Sequence, residues 1–100
     1  MRIDKDILWD SHIENIYEIL NAVKRREILD DIFFICINKK GIMQIISCRQ
    51  IYKNINKPNE LKVIAAARGK DSAFEMLSKL YSDWLKNHGS IEGINDHYKI

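Results

Sequence analysis

Apolar residues recur along this chain in two rhythms, and the rhythms predict its elements. Ile13, Ile16, Tyr17, Leu20 and Val23 fall three and four positions apart, the spacing that gathers side chains on one face of an α-helix. Ahead of them, Ser11-His12-Ile13-Glu14 has the Ser-x-x-Glu form of a capping box, in which each side chain takes up an orphan backbone donor. Lys24-Arg25-Arg26 then set cations where a helix C-terminus favours them. The pattern predicts a helix over residues 12–28. A second stripe, Phe74, Leu77, Leu80, Tyr81, Trp84 and Leu85, predicts another helix, opened by the capping-box form Ser72-Ala73-Phe74-Glu75 and stopped at Gly89.

Between the stripes the rhythm changes. Ile32-Phe33-Phe34-Ile35-Cys36-Ile37 is too short for a helix and rich in β-branched and aromatic residues, which predicts a strand covered on both faces. Gly41 suits the left-handed position of a hairpin loop, so a second strand is expected from Ile42 to about Cys48, antiparallel to the first. The polar stretch 49–59, with Pro58, reads as a loop or an extension of that strand, and Leu61 to Ala67 as a third strand.

The expected architecture is a two-layer α+β domain in the order α-β-β-β-α. It comprises an antiparallel three-stranded meander with both amphipathic helices on one face. Residues 1–89 form the compact domain and 90–100 a polar C-terminal tail. Phe33 and Phe34 point to opposite sides of their strand, so helices on one side leave apolar surface on the other. A homodimer or another protein partner is the expected cover, with the tail as the alternative. The interface candidates are Phe34, Ile42, Ile46, Tyr98 and Ile100.

Composition narrows the class. One hundred residues suit a single domain, and 46% apolar with 30% charged residues argues against disorder. The longest apolar run, Ile32 to Ile37, is far too short to span a bilayer. The N-terminus alternates charge and has no apolar signal core, and with two cysteines the expected compartment is the reducing cytosol. Eighteen isoleucines, eleven lysines and eight asparagines suggest A/T-rich coding, as in a low-GC bacterium, a phage or a mobile element.

The net charge of +2 hides an uneven layout. Residues 1–38 carry −3 and residues 71–100 carry −2, whereas 39–70 carry +7. Lys39, Lys40, Arg49, Lys53, Lys57 and Lys62, with Tyr52 available to stack on a base, are therefore candidates for nucleic-acid binding. The competing reading is a solvated rim whose lysines discourage edge pairing.

Little else points to chemistry. Arg68-Gly69-Lys70-Asp71-Ser72 lacks the first glycine of a phosphate loop, since Ile64 stands there, and has Asp71 where a Ser or Thr is needed. His12, His88 and His97 are scattered, and no metal-ligand spacing occurs. If Ile37 pairs with Ile42, Cys36 and Cys48 lie about 17 Å apart along the hairpin, beyond disulfide reach. No cofactor, metal or small-molecule substrate motif is present. The expected function is therefore a small non-enzymatic interaction or regulatory protein, with nucleic-acid binding as the alternative.

Overall fold

The structure is a computed structural model and describes residues 2–38, 40–54, 61–89 and 93. Its elements are β1 (Arg2–Trp9), α1 (Ile16–Lys24), β2 (Ile32–Asn38), β3 (Met43–Ser47), α2 (Cys48–Ile51), β4 (Leu61–Arg68) and α3 (Lys70–His88), with a 3-10 turn at Tyr52–Asn54 after α2. The described strands form one mixed sheet in the order β1-β4-β2-β3. β2 runs antiparallel to both its neighbours, whereas β1 runs parallel to β4. The fold is mixed α+β as expected, but the three-stranded meander is corrected. β4 crosses over to lie between β2 and β1, a strand that no apolar rhythm announced.

The expectation that both helices share one face is also corrected. Ile32, Phe34, Cys36, Ile46, Leu61 and Val63 pack with Ile16, Ile19 and Val23 of α1 and with Cys48 and Ile51 of α2. Ile35, Ile37, Met43, Ile64 and Ala65 pack instead with Met76, Leu77, Leu80, Tyr81 and Trp84 of α3. The sheet is thus the middle of three layers. The physical reason lies in β2, whose consecutive residues Phe34 to Ile37 are all buried. Neither of its faces can be left to water when each isoleucine gains about 1.5–3 kcal/mol from burial.

Two irregularities shape the sheet. Ile35 pairs with Ala65 while Cys36 pairs with Val63, so Ile64 is an extra residue that bulges β4. It switches the alternation: Val63 faces α1, Ile64 and Ala65 both face α3, and Ala66 returns to the α1 side. In β1, the five steps from Ile3 to Leu8 run alongside only two steps of β4, from Val63 to Ala65. Here the Asp4 carboxylate accepts from the Asp6 N–H at 3.0 Å and lies 3.7 Å from Lys62 Nζ.

The helix ends depart from the capping boxes expected at Ser11 and Ser72. The α1 cap is Asn15, whose side chain accepts from the N–H groups of Tyr17 at 3.0 Å and Glu18 at 3.3 Å. Gly69, with φ of 89°, opens α3 without any side-chain cap. The two-sided capping box belongs to α2, where Ser47 and Gln50 satisfy each other's backbone. At its other end α1 closes on Arg26, the one non-glycine residue among those described with positive φ, at 56°. Arg26 N–H reaches Val23 C=O at 3.1 Å and Glu27 N–H reaches Ala22 C=O at 2.9 Å, the two bonds of a Schellman turn. A left-handed arginine costs about 1–2 kcal/mol relative to the right-handed form, a penalty that glycine escapes. Arg26→Gly is therefore expected to raise unfolding free energy by about 0.5–1 kcal/mol. Chemical denaturation would measure it, and an unchanged or lowered midpoint would contradict this account of the turn.

Candidate functional site

β1 and β4 are adjacent and parallel, yet the helices that follow them pack on opposite faces of the sheet. In open α/β sheets such a switch point leaves a crevice at the carboxyl ends of the strands, where ligands commonly bind. Here that place holds Asp10, His12, Asp31, Arg68 and Ser72. The Asp10 carboxylate accepts from Arg68 N–H at 3.1 Å, and Arg68 Nε donates to His12 C=O at 3.2 Å. Arg68 Nη1 pairs with the Asp31 carboxylate, and Gly69 N–H donates to Asp31 C=O at 2.7 Å. Burial alone would raise the Asp10 pKa, but the Arg68 and His12 backbone bonds, with the His12 side chain, outweigh it and hold the carboxyl below its usual range.

His12 does not relay a proton here. Its Nδ1 lies 3.2 Å from Asp10 Oδ2 and 3.3 Å from Ser72 Oγ. A serine–histidine–carboxylate relay needs the two partners on different ring nitrogens, and here they share one. The cluster ties β1, the start of β2 and the end of β4 together, and its polar groups are engaged with one another. Beside it, between β1 and α3, lies a cleft of about 430 Å³ lined by Leu8, Trp9, Asp10, Met76, Lys79 and Asp83 among others. Among the described residues, no three His, Cys, Asp or Glu side chains converge to hold a metal ion. No described helix is long and apolar enough to cross a membrane.

Among the described residues, the basic side chains singled out from sequence do not gather in one place. Lys40 lies in the β2–β3 hairpin, and Lys62 begins β4 at that same end of the sheet, opposite Ile37. Arg49 sits at the other end, on α2, with Nη2 3.5 Å from Asp30 Oδ1. Lys53 is exposed on the 3-10 turn after α2, and Lys39 and Lys57 lie outside the described residues. Tyr52 is not presented for stacking. Its ring packs against the α1-side core, and its hydroxyl donates to Glu27 C=O at the end of α1. Burial, the Cys48 contact and the Glu27 charge raise the phenol pKa.

Cys48 and Cys36 are free thiols in the core. Cys36 pairs with Gln44 rather than Met43, a one-residue correction to the expected hairpin register. Burial pushes its thiol up to about 12, far from the reactive range.

Of the apolar interface candidates, Phe34 and Ile46 are overturned. They are 3% and 6% exposed, sealed beneath α1 and α2 because that face is covered by the chain itself. Ile42 stays 53% exposed in the hairpin. Tyr98 and Ile100 lie outside the described residues.

What sequence reasoning missed is the edge formed by β3 and the groove beside it. Phe33, Ile45, Phe74 and Leu77, with Ser47, Gln50 and Lys70, line about 440 Å³ between β3 and α3. Phe74 is 51% exposed, because one helix is narrower than the four strands beneath it. The two sheet edges differ sharply. β1 is blunted by Asp4 and Asp6 and by its irregular register. β3, Met43-Gln44-Ile45-Ile46-Ser47, carries no charge and pairs with β2 without a register shift. The legible signal was the absence of any charged residue between Gly41 and Cys48.

No family model, curated protein or solved structure matches this chain.

The cluster at the strand ends has a measurable pH signature. A carboxyl with a lowered folded-state pKa contributes stability above the unfolded value, about 3.9, and loses it as pH falls through the folded value. Asp10→Asn keeps an acceptor for Arg68 N–H but loses the charge. The variant should be less stable than the parent by about 1–2 kcal/mol at pH 7. That gap should narrow as pH drops below 4, measured by urea unfolding across the range. A gap that stays constant down to pH 2 would show that the ionised carboxylate is not what stabilises the cluster.

Proposed function

We propose that this protein is a small non-enzymatic association module of the cytosol, which works by accepting a protein strand at the β3 edge of its sheet. The observation that carries the reading is the contrast between its two edges. Proteins blunt exposed edge strands with charge, bulges or cover, and β1 has the first two. β3 has neither among the described residues, and it borders a groove in which Phe33, Ile45, Phe74 and Leu77 stand beside Ser47, Gln50 and Lys70. Strand addition at such an edge draws affinity from main-chain hydrogen bonds and specificity from side-chain pockets beside them. The groove lined by Phe33, Ile45, Phe74 and Leu77 supplies the pocket. The engaged polar groups at the strand ends, by contrast, offer little to a substrate.

A photo-crosslinking residue placed at Gln44, exposed on β3, tests the reading in the native cell. The control position is Tyr17, which is 70% exposed on α1. Discrete protein adducts are expected from position 44 and not from position 17. Equal or absent labelling at 44 would rule out the β3 edge as the working surface.

A further inference from the structure

The hydrogen-bonding phase of β3 limits what can pair with it. Asn38 N–H donates to Ile42 C=O at 3.1 Å, and the ladder continues as Ile37 to Met43, Cys36 to Gln44, Ile35 to Ile45 and Phe34 to Ile46. Hydrogen-bonded and non-hydrogen-bonded pairs alternate in an antiparallel ladder. Gln44 and Ile46 therefore spend their backbone groups on β2, and Met43, Ile45 and Ser47 direct theirs away from it. Ser47 is already committed, since its N–H donates to Gln50 Oε1 at 3.1 Å and it caps α2. Among the described residues, none pairs with the outward N–H and C=O of Met43 and Ile45.

We infer that the strand accepted at this edge is β3 of a second copy, antiparallel, with the two-fold axis at Gln44. This rests on the association reading and names its partner. In that register Met43 of each copy faces Ile45 of the other, and the four outward groups per copy are all satisfied by four shared hydrogen bonds. A register centred on Ile45 would instead set Met43 against Ser47, whose N–H is already taken. The edge is thus complementary to itself in phase and length, as a two-fold interface requires. Side chains agree with the register. Met43 and Ile45 of the two copies adjoin on the α3 side, joining the two grooves along their apolar flanks, while Gln44 meets Gln44 on the other side. No charge from Gly41 to Cys48 opposes its own image. Lys40 and Arg49 lie beyond the strand ends, Arg49 has Asp30 beside it, and Lys70 lines the groove on the α3 side.

Substitutions at the exposed Gln44 test this without disturbing the core. The full chain should sediment as a dimer. Gln44→Lys sets like charges directly across the axis, about 4.5–5.5 Å apart at Cβ, and should weaken the dimer about tenfold or more. Gln44→Cys should form an intermolecular disulfide in oxidised glutathione. Ile42→Cys should not, because in this register the two copies' positions 42 are about 14 Å apart. Cys36 and Cys48, 0% and 1% exposed, do not compete. A monomer at every concentration would overturn self-pairing, while adducts to other proteins from position 44 in the cell would still support the association reading. A dimer that ignores Gln44→Lys, or one linked through position 42 as readily as 44, would place the contact elsewhere and overturn the register.

Discussion

The burial of β2 and β4 on both faces is the constraint from which the rest of this structure follows. A strand with Ile32, Phe34 and Cys36 on one side and Ile35 and Ile37 on the other cannot lie at the surface of a two-layer domain. The chain answers by sending α1 and α2 to one face and α3 to the other. β4 is built to the same demand, with Leu61 and Val63 through Ala67 all buried. Ala65 lies on its α3 side, and the bulge at Ile64 turns one more large side chain toward α3.

Cover is uneven, and that unevenness is where function becomes arguable. On one face α1, α2 and the 3-10 turn close over the sheet, held by Tyr52 reaching the last turn of α1. On the other face α3 is the one described helix over strands wider than itself, with a cleft on its β1 flank and a groove on its β3 flank. The β1 flank is bordered by charges and by the Asp10, Asp31 and Arg68 cluster, whose groups bond to one another. The β3 flank is bordered by an uncharged regular edge. Chemistry at the first flank is spent inside the fold, whereas no described strand pairs with β3 on its outer side.

Much of the architecture was legible before any coordinates. The two helical stripes, the double-faced run Ile32 to Ile37, the hairpin at Gly41 and the strand from Leu61 all describe real elements. The local errors have a common origin. Ser11 and Ser72 each stand three residues before a glutamate, but capping depends on where the helix starts, and packing set the starts at Ile16 and Lys70. The candidate site was less legible. Phe34 and Ile46 were chosen as exposed because the helices were assigned to one face. Arg49, Lys40 and Lys62 looked like one patch because they are near in sequence, although the hairpin and crossover send them to opposite ends of the sheet.

Periodicity and residue type by themselves determined two helices and three of the strands, and that the central strand must be buried twice. Those properties are local, written in neighbours a few positions apart. Only the tertiary structure decided that Arg2 to Trp9 is a strand, since its charges and bulge conceal any alternation and its partner β4 lies some sixty residues away. It alone also decided which helix takes which face and which of the described strands lie at the sheet edges. Side-chain alternation says that two faces need cover, but the direction in which each strand exit turns is set by the packing of distant segments against one another.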